Sequence, residues 1–243
     1  MNELHLFAGA GGGILGGILC GHTTVCAVEI EPYPREVLLQ RQRDGILPKF
    51  PIWDDVTTFD GRPWRGLVDI VCGGFPCQDI SAAGHGAGIT GERSGLWKEY
   101  ARIINEVLPR FAFVENSPIL TSRGLGVVLG DLAEMGYNAR WGCFDGFDVQ
   151  GVLQRERIFI LASRIGDGIV REAIHVHQSP SNACNFWMQH LSPELQATLS
   201  NWEVAHGEFC GVDDGLSVEM GQLKAYGNAQ IPAVAALAWE VLS

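Results

Sequence analysis

The chain has 243 residues, of which 47% are hydrophobic and 19% are charged. This length and composition fit one α/β domain with a small appendage and exclude two large domains. The 28 acidic residues outnumber the 17 basic ones and give a formal net charge of −11, which does not favour binding to a polyanion. Since no apolar run approaches the roughly 20 residues that span a bilayer and no leader pattern is found, we expect a soluble, cytoplasmic protein without a membrane partner.

The cysteines and histidines do not predict a disulfide framework or a metal site. The number of cysteines is seven, which is odd, and none of them forms a CxxC pair. His175, His177, Cys184 and Cys210 are the nearest approach to a ligand set, but their spacing matches no common zinc pattern. We therefore predict no metal site.

Short β-rich runs alternate with amphipathic stretches from the start of the chain to about residue 164, which predicts a mostly parallel, doubly wound sheet with helices on both faces. The predicted strands are Leu4–Phe7, Thr24–Glu29, Val68–Cys72, Phe111–Glu115, Tyr137–Phe144 and Ile158–Ala162. The predicted helices are Pro34–Asp44, Leu96–Val107, Gly124–Met135 and Ala233–Leu242. Residues 165–221 are acidic and irregular, and we expect them to form a small separate unit.

The first predicted strand runs into the glycine-rich segment Phe7–Gly13 and then into a helix. Missing side chains let a nucleotide-like ligand approach the backbone, although a tight turn without a ligand has the same pattern. Glu29 ends the next strand, where a carboxylate can accept both hydroxyl groups of a ribose. Asp55 follows a third short strand and could accept an adenine amino group, or it could belong to an exposed acidic turn.

Cys77 lies in the segment GGFPCQDIS, which follows a buried strand and enters a loop at the same edge of the sheet as the glycine turn. Ligands of open α/β sheets bind at that edge, so the thiol is positioned to act as a nucleophile, whereas Cys72 points into the core. Glu115 ends the following strand and could donate a proton beside Cys77. Alternatively, Cys77 is an inert thiol and Glu115 is a capping or salt-bridged carboxylate.

Two further polar segments lie near predicted element boundaries. Arg155 and Arg157 precede the strand at 158–162, and their forked donors suit phosphates or a base carbonyl group; a solvated charge run is the alternative. Asn228 offers an amide side chain near a ligand, or it belongs to an ordinary helix start before Pro232.

In chain order, the segments FAGAGGG, VEIE, GGFPCQDIS, ENSP, QRERIF and GNAQIP resemble the motifs of the cytosine-5 DNA methyltransferase family. The resemblance covers 1–164 and 222–243, which we expect to form the catalytic domain with a Rossmann-like, class I S-adenosylmethionine-dependent methyltransferase fold. Residues 165–221 would then be a reduced target-recognition region, since the family usually has a long variable region there.

The resemblance implies a role for particular residues. Those that would line the S-adenosylmethionine site are Phe7, Ala8, Gly9, Ala10, Gly11, Gly12, Glu29, Ile30, Asp55, Val56, Pro76, Leu96, Asn228 and Ala229. Those implied in catalysis are Cys77, Glu115, Arg155, Arg157, Gln78 and Ser81. In this set Cys77 attacks the base, Glu115 and Arg157 hold its edge, and Gln78 and Ser81 belong to a loop that closes over it. The chain departs from the family at His5, where an Asp is usual, and at Ile30, where an aromatic residue stacks on adenine.

The chemistry of the family explains these residue types. A thiolate adds to C6 of cytosine and makes C5 nucleophilic enough to take a methyl group, while an acid stabilises N3. We expect the substrate to be a cytosine in DNA, in a bacterial or viral host cell, and an accessory protein could supply target recognition. The alternatives are a tRNA cytosine methyltransferase, a non-catalytic regulator that binds the cofactor or DNA, and a nicotinamide oxidoreductase.

Overall fold

The computed structural model of the protein describes residues 1–76, 95–149, 155–166 and 230–243. In these ranges, seven strands form one sheet: β1 (Asn2–Leu6), β2 (Thr23–Val28), β3 (Ile52–Trp53), β4 (Ile70–Gly74), β5 (Phe111–Asn116), β6 (Tyr137–Phe144) and β7 (Arg157–Arg164). The α-helices are α1 (Gly12–Leu19), α2 (Pro32–Arg43), α3 (Gly95–Val107), α4 (Leu120–Arg123), α5 (Leu125–Glu134) and α6 (Pro232–Leu242). Short 3-10 helices span Arg62–Trp64 and Gly146–Val149.

The order of strands across the sheet is β3-β2-β1-β4-β5-β7-β6. Strands β1 to β5 are parallel, whereas β7 is antiparallel to both β5 and β6. The strand order reverses between β1 and β4, and ligands of open α/β sheets bind outside the carboxyl ends of the strands at such a switch point. The mostly parallel, doubly wound sheet predicted from the sequence is confirmed.

Helices cover both faces of the sheet because successive strand residues point to opposite faces. On one face, α3 and α5 pack against residues such as Leu4, Val71 and Ile160. On the other face, α6 packs against residues such as Ile70 and Phe159. Helices α1 and α2 form a smaller core beside β2 on that second face.

The predicted strands and helices are present, with ends shifted by a few residues. The predicted strand Val68–Cys72 begins later and continues to Gly74, which carries the strand closer to Cys77. The predicted helix Gly124–Met135 is preceded by the separate turn α4, because the extended backbone of Gly124 interrupts the helical path. Within the described ranges, no helix has the length and apolar character needed to cross a bilayer.

Candidate active site

The candidate active site is a cleft at the carboxyl ends of β1 and β4. Its walls include the turn after β1, the end of β4, Glu115 and Gln230. The structure thus brings the glycine turn and the predicted acid to one edge of the sheet. Five of the predicted site residues lie outside the described residues, namely Cys77, Gln78, Ser81, Asn228 and Ala229. Nearly all of the predicted unit at 165–221 also lies outside them.

The turn after β1 depends on backbone conformations that favour glycine. Phe7, Gly9 and Gly11 have φ values of 52°, 55° and 91°, and the N–H of Gly11 donates to the carbonyl oxygen of Ala8 at 3.0 Å. A Cβ on Gly9 would meet no atom within 4 Å. The backbone at Gly9 is therefore open to a ligand, as the sequence predicts for a nucleotide-binding turn.

Gly12 and Gly13 are packed against another part of the chain. A Cβ on Gly12 would lie 2.0 Å from the carbonyl oxygen of Gln230, and a Cβ on Gly13 would lie 2.5 Å from its side-chain Oε1. Cβ atoms essentially never approach a backbone oxygen so closely, so Gly12 needs to be glycine, whereas a Cβ on Gly13 would require the end of the Gln230 side chain to move. Packing accounts for Gly12 without any ligand.

Glu29 ties the glycine turn to the end of β2. Its Oε2 accepts a hydrogen bond from the N–H of Gly9 at 2.6 Å, and its Oε1 accepts one from the N–H of Glu31 at 2.8 Å. Burial raises the pKa of Glu29, although these two N–H groups act in the opposite direction. A carboxylate has about four lone-pair sites, so Glu29 keeps acceptor capacity for ribose hydroxyl groups.

The remaining residues implied in cofactor binding have diverse environments. Oδ1 of Asp55 accepts hydrogen bonds from the N–H and the hydroxyl group of Thr57, both at 2.8 Å, and these bonds lower the pKa of Asp55. Both bonds of Asp55 are local, since they join it to a residue two positions along the chain. Val56 is buried in the core, Leu96 is half-buried, and Ile30 is 61% exposed. The cofactor roles of these residues stay predictions.

The chain that leads to Cys77 is fixed by contacts with β5 and α3. The buried Asn116 donates from Nδ2 to the carbonyl oxygen of Phe75 at 3.0 Å. The ring of Phe75 packs on Trp97, with 5.4 Å between the ring centroids, and the half-buried Pro76 follows. The ENSP motif contains Asn116, but the sequence pattern does not single this residue out for a role at the site.

Glu115 is the penultimate residue of β5 and pairs with Gly74 of β4. The residue is 8% exposed, and its Oε1 lies 3.0 Å from Nε of Arg157. Burial raises the pKa of Glu115 above its usual value, although Arg157, Arg155 and a hydrogen bond with Gln230 lower it. A carboxyl group with a raised pKa retains its proton at higher pH, as a general acid requires.

Arg155 and Arg157 lie beside Glu115 at the start of β7. Burial and the neighbouring Arg157 lower the pKa of Arg155 to about 10, while the charge of Glu115 acts in the opposite direction. The side chain of Arg157 is 26% exposed. These arginines are therefore held at the site, which contradicts the alternative of a solvated charge run.

A second polar group lies on the α1 and α6 face of β1. The two oxygens of Glu3 lie 2.8 Å from Nε2 of His5 and 2.8 Å from Nδ1 of His22, and all three residues are buried. Burial raises the pKa of Glu3, but the two imidazole rings outweigh burial and lower it to about 2. A Cβ on Gly17 would lie 2.0 Å from Oε2 of Glu3, so α1 passes over this group only because residue 17 is glycine.

This polar group is the one set among the described residues whose atoms are close enough to share a metal ion, through Glu3, His5 and Cys72. Ligand atoms at 2.0–2.1 Å from a tetrahedral zinc ion lie about 3.3 Å apart. The 2.8 Å separation between Glu3 and His5 is instead that of a hydrogen bond. The group is therefore explained as a buried hydrogen-bonded network.

The sheet order and the cleft at its switch point define the protein as having the fold of the S-adenosylmethionine-dependent methyltransferases. Two solved structures share this fold. A putative DNA modification methyltransferase encoded within an E. coli prophage is 20% identical, with a TM-score of 0.55 over 72% of this chain and 52% of that chain. A variant of Spodoptera frugiperda DNMT2 is 16% identical, with a TM-score of 0.57 over 72% of this chain and 54% of that chain.

Within that class, the chain belongs to the C-5 cytosine-specific DNA methylase family, whose sequence model matches residues 1–205. It is 32% identical over 175 residues to the Type II methyltransferase M2.BsuMI of Bacillus subtilis, covering 69% of this chain and 43% of that protein. It is 33% identical over 162 residues to M.CviJI of Paramecium bursaria Chlorella virus IL3A, covering 66% and 42%. The match thus spans less than half the length of these relatives.

Proposed function

We propose that the protein transfers the methyl group of S-adenosylmethionine to C5 of cytosine in DNA, through a covalent adduct between Cys77 and C6 of a flipped-out base. The observation that carries this proposal is Glu115, a buried carboxyl group with a raised pKa that is paired with Arg157 in the wall of the cleft. Gly74 lies opposite Glu115 in the sheet and precedes Cys77 by three residues in the chain. The proposal therefore assigns the nucleophile to the edge of the sheet at which this acid lies.

The described residues fit S-adenosylmethionine. The open backbone at Gly9 admits a ligand, and Glu29 retains acceptor capacity for ribose hydroxyl groups. The turn Phe7–Gly9 and Glu29 would hold the cofactor, which supplies an electrophilic methyl group when it is bound. Asn228 and Ala229 are proposed to contribute from outside the described residues.

The protein residues activate the base and accept its developing charge. The thiolate of Cys77 adds to C6, and protonated Glu115 donates to N3 as electron density moves onto the ring. With S-adenosylmethionine bound, the activated C5 would take the methyl group as the methyl–sulfur bond breaks and S-adenosylhomocysteine leaves. N3 returns its proton to Glu115, a base removes the C5 proton, and elimination of Cys77 restores the double bond and the thiolate. Arg157, whose Nε holds Glu115, donates from its terminal nitrogens to O2 of the cytosine.

DNA is the proposed partner, and the base has to leave the duplex because C5 and C6 are stacked inside it, at a cost of about a few kcal/mol. The net charge of −11 provides little phosphate neutralisation. We therefore expect weak affinity for DNA at physiological salt from this chain alone. The comparisons give no support for an accessory recognition protein, which stays a prediction.

The first experiment measures product formation. The protein is incubated with S-adenosylmethionine carrying a tritiated methyl group and with duplex DNA of mixed sequence, and the hydrolysed DNA is analysed for 5-methylcytosine. We expect label in 5-methylcytosine with the wild type and none with Cys77→Ser. The same assay is repeated with tRNA in place of DNA. Incorporation of label into tRNA but not into DNA would favour the tRNA methyltransferase instead.

A second experiment tests the covalent step. Duplex DNA that contains 5-fluorocytosine cannot release the C5 substituent as a proton, so a working nucleophile leaves a stable protein–DNA adduct. We expect this adduct with the wild type and its loss in Cys77→Ser. Cofactor binding measured by calorimetry, without adduct or product, would overturn the proposal and favour the non-catalytic regulator.

A further inference from the structure

The side-chain amide of Gln230 lies between the glycine turn and the end of β4. Its Oε1 is on the side of Gly13, where a Cβ would come within 2.5 Å of that oxygen. Its Nε2 is on the side of Gly74, where a Cβ would lie 3.4 Å from Nε2 and 2.1 Å from Oε2 of Glu115. The two ends of the amide therefore face different elements, and the nitrogen end is beside Glu115.

Nε2 of Gln230 and Oε2 of Glu115 both lie beside Gly74, and a side-chain hydrogen bond from Gln230 is among the causes that lower the pKa of Glu115. An ionised carboxylate only accepts hydrogen bonds, so the amide nitrogen is the donor in that state. The other carboxyl oxygen, Oε1, pairs with Nε of Arg157 at 3.0 Å. Two donors from distant parts of the chain thus hold the acid from two sides.

We propose that Gln230 is a positioning residue for Glu115: its amide nitrogen fixes the carboxyl group beside Gly74 and stabilises the carboxylate that is left when the proton moves to N3 of the base. This inference rests on the proposed function, since it assigns a role in the proton transfer by Glu115. Arg157 and Arg155 are the charged groups that face Glu115. Gln230 differs from both because it adds a directed hydrogen bond without adding charge.

The backbone of Gln230 is held as firmly as its side chain. Its carbonyl oxygen fills the space over Gly12, where a Cβ would lie only 2.0 Å away, and Pro232 begins α6 two residues later. Since α6 is packed against the sheet through its buried face, the amide has little freedom to move. A donor held in place before the reaction costs no reorganisation when charge develops on Glu115.

The test replaces Gln230 with a side chain of similar length that has no donor. In Gln230→Met we expect the pKa of Glu115 to rise by about one unit, because the charged form loses a hydrogen bond. The limb of the pH–rate profile at which Glu115 loses its proton should move to higher pH by the same amount. We expect kcat to fall by up to about tenfold, with the KM for S-adenosylmethionine unchanged.

The pKa of Glu115 is measured directly by NMR titration of protein labelled with ¹³C at the glutamate carboxyl groups, with Glu115→Gln to assign the signal. This measurement needs neither DNA nor methyl transfer, so its outcome is separate from that of the proposed function. Gln40→Met, on the exposed surface of α2, is the matched control and should leave the pKa of Glu115 unchanged.

A second variant keeps the inference testable if Gln230→Met unfolds. Gln230→Glu retains the length and adds a negative charge beside Glu115, so it should raise the pKa of Glu115 further than Gln230→Met does. A merely structural role would lower the thermal stability of these variants without moving that pKa. A folded Gln230 variant in which the pKa of Glu115 equals the wild-type value would overturn the proposal.

Discussion

Replacing Glu3 with glutamine tests the buried network beneath the glycine turn. The carboxyl group has a pKa of about 2, against an ordinary value of 4.5, and this difference corresponds to about 3 kcal/mol of stability at neutral pH. Because the pKa is lowered in the folded state, the contribution is present above pH 4.5 and is lost as the pH falls towards 2. We expect Glu3→Gln to lower the free energy of unfolding by about 3 kcal/mol at pH 7 and by about 2 kcal/mol at pH 3.5.

Urea unfolding at these two pH values, followed by far-ultraviolet circular dichroism, measures the difference. Glu36→Gln is the control. The Glu36 side chain is 64% exposed on α2, so its replacement should change stability by less than about 0.5 kcal/mol. A loss in Glu3→Gln that is equal at both pH values would refute the reasoning, since it would mean that folding does not lower the pKa of Glu3.

Four further substitutions test the site. Gly73→Ala should destabilise the protein more than Gly9→Ala in thermal unfolding. A Cβ at residue 73 would lie 1.9 Å from a backbone carbonyl oxygen, whereas a Cβ at residue 9 would meet no atom of the described residues within 4 Å. Equal losses of stability in the two variants would contradict this prediction. Glu115→Gln should slow methyl transfer in single-turnover kinetics by roughly a hundredfold to ten-thousandfold and leave cofactor binding intact in calorimetry; an unchanged rate would exclude Glu115 as the acid. Asn116→Ala removes the bond to the carbonyl group of Phe75 and should slow adduct formation with 5-fluorocytosine DNA about tenfold; wild-type kinetics would show that this bond does not position the nucleophile segment.

The position of the acid could be predicted from the sequence because it follows directly after an apolar run. The strand Phe111–Asn116 is recognisable from its composition, and a residue at its carboxyl end must lie at the ligand-binding edge of a parallel sheet. The same reasoning places Glu29 beside the glycine turn. The insertion of β7 between β5 and β6 could not be predicted in this way, since it depends on long-range pairing rather than on a local pattern.

The contacts made by distant segments were also beyond the sequence. The sequence predicts that Gly12 lines the cofactor site, but it carries no signal that Gly12 and Gly13 pack against Gln230, which is far away in the chain. Likewise, Glu3 and His22 carry no local pattern that predicts their pairing. Local patterns fix strand ends and turns, whereas the partners of buried polar groups depend on the folded topology.

The closeness of Gln230 to Gly12 has a consequence for how the protein is made. A growing polypeptide that has not yet reached residue 230 already contains the glycine turn and the seven strands of the described sheet, but it lacks the residue that packs on Gly12. The wall of the cleft that Gln230 forms is therefore added only after these seven strands have been synthesised.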